Sequence, residues 1–193
     1  MKQELDKLLC EKYPKMMVNR NKPMTETCMC WGFDCGDGWY NILNQLMGNI
    51  QHHIDWTVKS SQWDIDYNAK LANMKAGDFA DFERDSQAWS SDYREEMRQR
   101  MLKEEPRKVR EVCTQVTLDQ VKEKFGTLRF YYTGGDDYIH GMVTMAESMS
   151  GVTCETCGNP GKQVGGGWIT TLCKEHAEAR GIYIGNEEDE SKE

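Results

Sequence analysis

Four side chains near the C-terminus have the types and spacing of metal ligands. Cys154 and Cys157 form a C-x-x-C pair, Cys173 and His176 form a C-x-x-H pair, and fifteen residues separate the two pairs. A tight turn brings the sulfurs of a C-x-x-C pair within reach of one ion, and residues three apart on a helix lie on one face. Three thiolates and one imidazole complete a tetrahedral shell. The spacing therefore predicts one bound Zn²⁺.

The chain around these ligands predicts a small finger. A cysteine turn comes first, then a hairpin whose bend contains Gly165-Gly166-Gly167, then the helix-forming stretch KEHAEAR. This order resembles a treble-clef zinc finger over residues 152–181. Four protein ligands leave no coordination position for water, so the predicted zinc is structural. Treble clefs also form HNH nuclease sites, but the hairpin here lacks the histidine that such a site needs as general base.

A second group of cysteines leaves two interpretations open. Cys28, Cys30 and Cys35 lie close together, and with His52 or His53 they could bind a second zinc. The C-x-C-x4-C spacing is not a common zinc knuckle, and the alternative is that these are ordinary buried thiols.

Few other residues suggest catalysis. The chain contains no G-x-S-x-G motif, no P-loop and no glycine-rich dinucleotide turn. The remaining enzyme hypothesis places a site around Asp34, Asp37 and His52 or His53. The glycines of the CGDGW motif either expose backbone N–H groups to an anion or simply let the chain enter a helix.

Hydrophobic periodicity predicts the elements that position these residues. Apolar residues at helical spacing indicate helices over residues 2–13 and from about Gly38 to Val58, the second with Asp37 as its N-cap. A third helix is predicted from about Gly77 to Lys103, with a narrow apolar stripe.

The C-terminal half changes to a β pattern before the finger. Residues 112–132 predict a hairpin with its turn near Lys124–Gly126, in which Leu128, Phe130 and Tyr132 form the apolar face. Asp136 or Asp137 is expected to cap the next helix. The predicted inward residues of that helix are Ile139, Met142, Val143, Ala146 and Met149. We also expect Trp168 to join this cluster, because so large a ring cannot be buried inside a small finger.

These elements predict an α+β fold: helices, a short β-hairpin or sheet, and the C-terminal finger. The predicted organisation has an N-terminal helical part at 1–60, a charged helical insertion or arm at 61–112, and the hairpin, helix and finger at 113–183. Residues 184–193 end in EEDESKE, with five acidic residues and one lysine. They are predicted to be a disordered tail.

Three sequence blocks carry a wider resemblance. FDCGDGWYNIL, QVKEKFGTLRFYYTGGDD, and CETCGNPG with GGWITTLCKEHA resemble a protein family common in tailed phages and their prophages. The resemblance covers both ends of the chain and omits residues 61–112. It implies a phage or prophage origin and does not indicate an activity.

Composition limits the partners. The chain has 193 residues, 38% hydrophobic and 29% charged, and a net charge of −8. The charged start does not resemble a secretory signal, so a cytoplasmic location, in a host cell, is expected. Much of the negative charge lies in the tail, and a basic surface for nucleic acid is not evident. We therefore expect a non-enzymatic, zinc-stabilised binding or regulatory protein, with a protein partner favoured and no membrane partner. The alternative is a zinc-finger regulator that binds nucleic acid.

Overall fold

The computed structural model describes residues 1–183; the predicted acidic tail at 184–193 lies outside them. The chain divides into two compact units. The first comprises residues 1–54 and the chain from Cys113 onward, and the second comprises residues 55–112. No helix within residues 1–183 is long and apolar enough to cross a membrane. The four-part organisation predicted above stays a prediction.

The first unit begins with helix α1 (Gln3–Lys12), a 3-10 turn at Met29–Trp31, strand β1 (Phe33–Asp34) and a second 3-10 turn at Asp37–Trp39. Helix α2 (Tyr40–Lys75) starts in this unit and continues beyond Ile54, well past the predicted end at Val58. The predicted N-cap is wrong: the Asp37 carboxylate instead accepts a hydrogen bond from the Lys2 backbone N–H at 2.7 Å and pairs with the Lys2 ammonium.

The sheet of this unit has three strands in the order β1, β2 (Thr117–Lys124) and β3 (Thr127–Thr133). Strands β2 and β3 form the predicted antiparallel hairpin. Its two-residue turn, Phe125-Gly126, has positive φ at both positions, the conformation that matches the twist of the two strands. Strand β1 runs parallel to β2, which the sequence did not predict.

Helix α5 (Asp137–Ser150) packs on β3 and leads into the finger, and Asp136 caps it by accepting the Ile139 N–H. Met149, predicted to face inward, is 49% exposed. The core of this unit combines side chains from α1, α2, the sheet and α5; fully buried members include Leu9, Met16, Trp39, Leu43, Met47, Ile50, Leu118, Leu128 and Ile139.

The finger contains strands β4 (Lys162–Val164) and β5 (Thr170–Leu172), paired antiparallel, and helix α6 (Lys174–Ala179). Cys154, Leu172 and Ala177 form its small core. The predicted fold class, α+β with a short hairpin sheet and a C-terminal finger of the treble-clef type, is confirmed.

The second unit contains the rest of α2, helix α3 (Ala80–Asp85) and helix α4 (Ser91–Leu102). One continuous helix was predicted from Gly77 to Lys103; instead the chain breaks at 86–90, and Ser90 caps α4 by accepting the Tyr93 N–H. Four buried side chains form its core: Leu71, Met74, Phe82 and Met101. The buried Asp64 carboxylate binds the Arg110 guanidinium at 2.7 and 3.0 Å.

Candidate metal centre

The structure brings the four predicted ligand side chains together. Cys154 and Cys157 lie in the turn after α5, Cys173 is the N-cap residue of α6, and His176 lies in the first turn of that helix. All four ligand atoms lie within 4.8 Å of one another. The His176 Nδ1 is 3.0 Å from the Cys173 sulfur and 3.8 Å from the Cys154 sulfur. This cluster could hold a metal ion.

Local backbone geometry explains how the first pair converges. The Gly158 N–H donates to the Cys154 carbonyl at 2.8 Å, and the Cys154 N–H donates to the Asn159 carbonyl at 2.7 Å, so the chain folds tightly around the two cysteines. Gly158 has φ +81°, a conformation that side chains with a Cβ rarely adopt. The turn is therefore specified by the residues within it.

The electrostatics of Cys154 favour the thiolate form that a metal requires. Burial raises the pKa of this thiol, but hydrogen bonds from the backbone N–H groups of Cys173, Cys157 and Thr156 outweigh that effect. Together these effects lower the pKa of Cys154 below its usual value. Cys154 is fully buried, whereas Cys157 is exposed and Cys173 and His176 are half-buried. The donors thus form a site at the edge of the finger.

The CGDGW motif docks the cysteine turn onto the body of the first unit. The Gly38 N–H donates to the Glu155 carbonyl, the Gly36 N–H donates to Glu155 Oε1, and the Trp39 indole N–H donates to the Thr153 carbonyl, each at 2.8 Å. A Cβ built on Gly36 or Gly38 would lie 2.2 Å from a backbone oxygen of the turn. The glycines are needed for this close approach. Neither of the two sequence interpretations, anion binding or entry into a helix, contained this explanation.

The finger also contacts the β2–β3 hairpin. The Thr171 hydroxyl donates to the Gly126 carbonyl in the hairpin turn, and the Glu155 N–H donates to the Thr171 carbonyl at 2.9 Å. The Ser150 hydroxyl, at the end of α5, accepts a hydrogen bond from the Leu128 N–H of β3. The CGDGW segment therefore binds the cysteine turn directly, and Thr171 links the turn to the hairpin.

The hairpin tip of the finger differs from the prediction. Trp168 does not join the apolar cluster of α5 and β3, and its side chain is 79% exposed. The neighbouring Ile169 is 37% exposed. Strands β4 and β5 have three residues each, and the indole belongs to the segment that joins them.

The other candidate residues are not gathered into one site. Among residues 1–183, no cluster of three ligand atoms within 4.8 Å contains Cys28, Cys30 or Cys35. Asp34 lines a different cleft from Asp37. The enzyme hypothesis built on Asp34, Asp37 and the two histidines thus has no assembled constellation in this part of the chain.

One cluster was missed by the sequence analysis. His53 lies beside Asp136 and Cys113 rather than beside the N-terminal cysteines, and the three ligand atoms lie within 4.8 Å of one another. Burial, followed by a hydrogen bond to Asp136, raises the pKa of the Cys113 thiol to about 11. No spacing motif could have revealed this cluster, because its members come from three distant segments.

Comparison with known proteins finds no matching family model, no matching curated protein and no matching solved structure.

Proposed function

We propose that the chain is a non-enzymatic binding or regulatory protein whose C-terminal finger is held by one structural Zn²⁺. Three thiolates and an imidazole form a donor set that suits zinc and does not suit Mg²⁺ or Ca²⁺, which prefer oxygen ligands. Four protein donors leave no position for substrate or water. The proposal includes a phage or prophage origin, from the resemblance of the three sequence blocks, and action in the host cytoplasm.

The proposal of a binding function rests on the exposure of Trp168. A finger that contains the four-residue cluster, and that makes three hydrogen bonds to the CGDGW segment, presents a large aromatic side chain to solvent. Tryptophan is enriched among the residues that dominate protein–protein binding energy, since it buries a large apolar area with few torsions to restrict. A protein partner is therefore the favoured occupant of the hairpin tip.

Charge on the finger supports a protein over a nucleic acid. Lys174 and Arg180 lie near Glu175 and Glu178 on and beside α6, and Lys174 pairs with Glu178 at 4.0 Å. This mixture of signs is unlike the basic surface that neutralises a run of phosphates.

Metal content and its structural effect test the zinc part. Purified full-length protein should contain Zn²⁺, and Cys157→Ser should lose the ion of the finger because binding energy is folding energy in small metal sites. We expect faster amide exchange in the variant to spread from the finger to Trp39, which bonds to Thr153. It should also reach residues 127–132, which follow the Gly126 carbonyl bound by Thr171. Protection that stays at the wild-type level in both segments would show that the finger is an independent module.

Partner binding tests the Trp168 part. Partners captured from bacterial lysate would be identified, purified and titrated against the wild type, Trp168→Ala and Trp31→Ala. Trp31 is the matched control, because it is 59% exposed and lies outside the finger. We expect Trp168→Ala alone to weaken binding, by at least tenfold for a residue contributing about 2 kcal/mol. Equal affinities would exclude the hairpin tip, and salt-sensitive retention on DNA would instead favour the nucleic-acid alternative.

A further inference from the structure

A second set of metal-ligating side chains lies away from the finger. His53 is on α2, Cys113 precedes β2, and Asp136 caps α5. The His53 Nε2 is 2.7 Å from the Asp136 Oδ2, and the Cys113 sulfur lies within 4.8 Å of both ligand atoms.

Neighbouring groups orient these donors. The Asp136 Oδ1 accepts the Ile139 N–H at 3.1 Å, which directs the other carboxylate oxygen toward His53. The His53 ring packs against the Tyr138 ring, with centroids 4.6 Å apart. Metal-binding side chains are commonly held in this way by partners outside the coordination shell.

We propose that His53, Cys113 and Asp136 bind a second divalent ion of the zinc class, with a fourth coordination position open to water. The donor set of one nitrogen, one sulfur and one oxygen suits zinc, and three protein ligands with one solvent position are typical of accessible zinc sites. The His53 side chain is 20% exposed and the Asp136 side chain 40% exposed, so solvent reaches the open position. Cys113, by contrast, is buried.

The His53–Asp136 pair needs only a small movement to accept the ion. Bonds of roughly 2.0 Å at tetrahedral angles place nitrogen and oxygen donors about 3.3 Å apart. The His53–Asp136 separation of 2.7 Å therefore widens by about 0.6 Å on binding. The Cys113 thiol releases its proton to solvent as the sulfur–metal bond forms, and a neutral His53 supplies the nitrogen lone pair.

The position of the cluster in the chain suggests what the ion does. His53 lies two residues before the second unit begins at Asp55, and Cys113 directly follows its last residue, Val112. A shared ion would thus join the two chain segments through which the first unit connects to residues 55–112. We expect amide exchange near Cys113 to slow when this site is filled.

Cobalt titration of the full-length protein tests the proposal. Zinc-free wild type should bind two Co²⁺ ions, whereas His53→Gln and Cys113→Ser should each bind one. The ion lost in these variants has one thiolate ligand, whereas the finger ion has three. The thiolate-to-cobalt absorbance of the lost ion should therefore be roughly one-third of that of the finger ion. Cys157→Ser should show the reverse, losing the stronger absorbance and keeping the weaker.

His52→Gln is the matched control, because His52 is adjacent, exposed and outside the cluster; it should keep both ions. Circular dichroism checks that each variant folds. If Cys113→Ser does not fold, the His53→Gln variant decides the result. A wild type that binds one ion, or a folded His53→Gln variant that binds two, would overturn the proposal. The three side chains would then form only a hydrogen-bonded cap for α5.

Discussion

Gly38→Ala tests whether the CGDGW segment positions the cysteine turn of the finger. A Cβ at Gly38 would lie 2.2 Å from the Cys154 carbonyl oxygen, 2.4 Å from the Gly158 nitrogen and 2.8 Å from the Cys157 nitrogen. All three atoms belong to the backbone, so no side-chain rotation relieves the overlap. The φ of Gly38 is not in the left-handed region, so the alanine adds no backbone strain of its own.

The magnitude follows from the distance that the turn must move. Ordinary contact begins at 3.4 Å, so the Cys154 carbonyl must retreat by roughly 1.2 Å. A shift of that size lengthens the three 2.8 Å hydrogen bonds between this segment and the turn beyond bonding distance. At about 1 kcal/mol for each hydrogen bond, the free energy of unfolding of the first unit should fall by about 3 kcal/mol.

Urea unfolding at a fixed zinc excess, followed by amide exchange in residues 36–39 and 153–158, measures this loss. Gly141→Ala is the control, because Gly141 lies within α5 and nothing lies within 4 Å of its added Cβ. An alanine there should stabilise the helix by about 0.5–1 kcal/mol. If the free energy of unfolding of Gly38→Ala lies within about 0.5 kcal/mol of the wild-type value and the exchange protection is kept, the close approach of the two backbones does not hold the turn.

Two further substitutions test the interior of each unit. Ser150→Ala removes the buried hydroxyl that accepts the Leu128 N–H, and it should lower the free energy of unfolding by about 1–3 kcal/mol, whereas Ser148→Ala, at an exposed position, should change it little. The second unit should lose stability in acid, because the Arg110 hydrogen bond lowers the pKa of Asp64 below its usual 3.8. The ion pair therefore stabilises the folded unit fully above about pH 4. Its contribution disappears as the pH falls through the pKa of Asp64 in the folded protein. Amide exchange near Arg110 should show this loss in the wild type and not in Asp64→Asn.

Features specified by neighbouring residues could be predicted from the sequence. The C-x-x-C and C-x-x-H pairs, the turn at Gly126 and the cap at Asp136 each depend on interactions that span about four residues or fewer. Local geometry allows few arrangements of such short segments, so residue type and spacing identify them. The fold class followed from these elements because their periodicity is strong.

Features that depend on distant segments were decided by the tertiary structure. Gly38 meets the turn at Cys154, and His53 meets Cys113 and Asp136, across separations of 60 residues or more. The exposure of Trp168 likewise depends on where its hairpin lies in the folded chain. Composition constrains the total apolar area to be buried, but it does not state which distant surface each residue covers, because many pairings bury similar areas. The four-residue cluster of the finger was therefore predictable from the sequence, while the contacts that position it emerged only when the chain was folded.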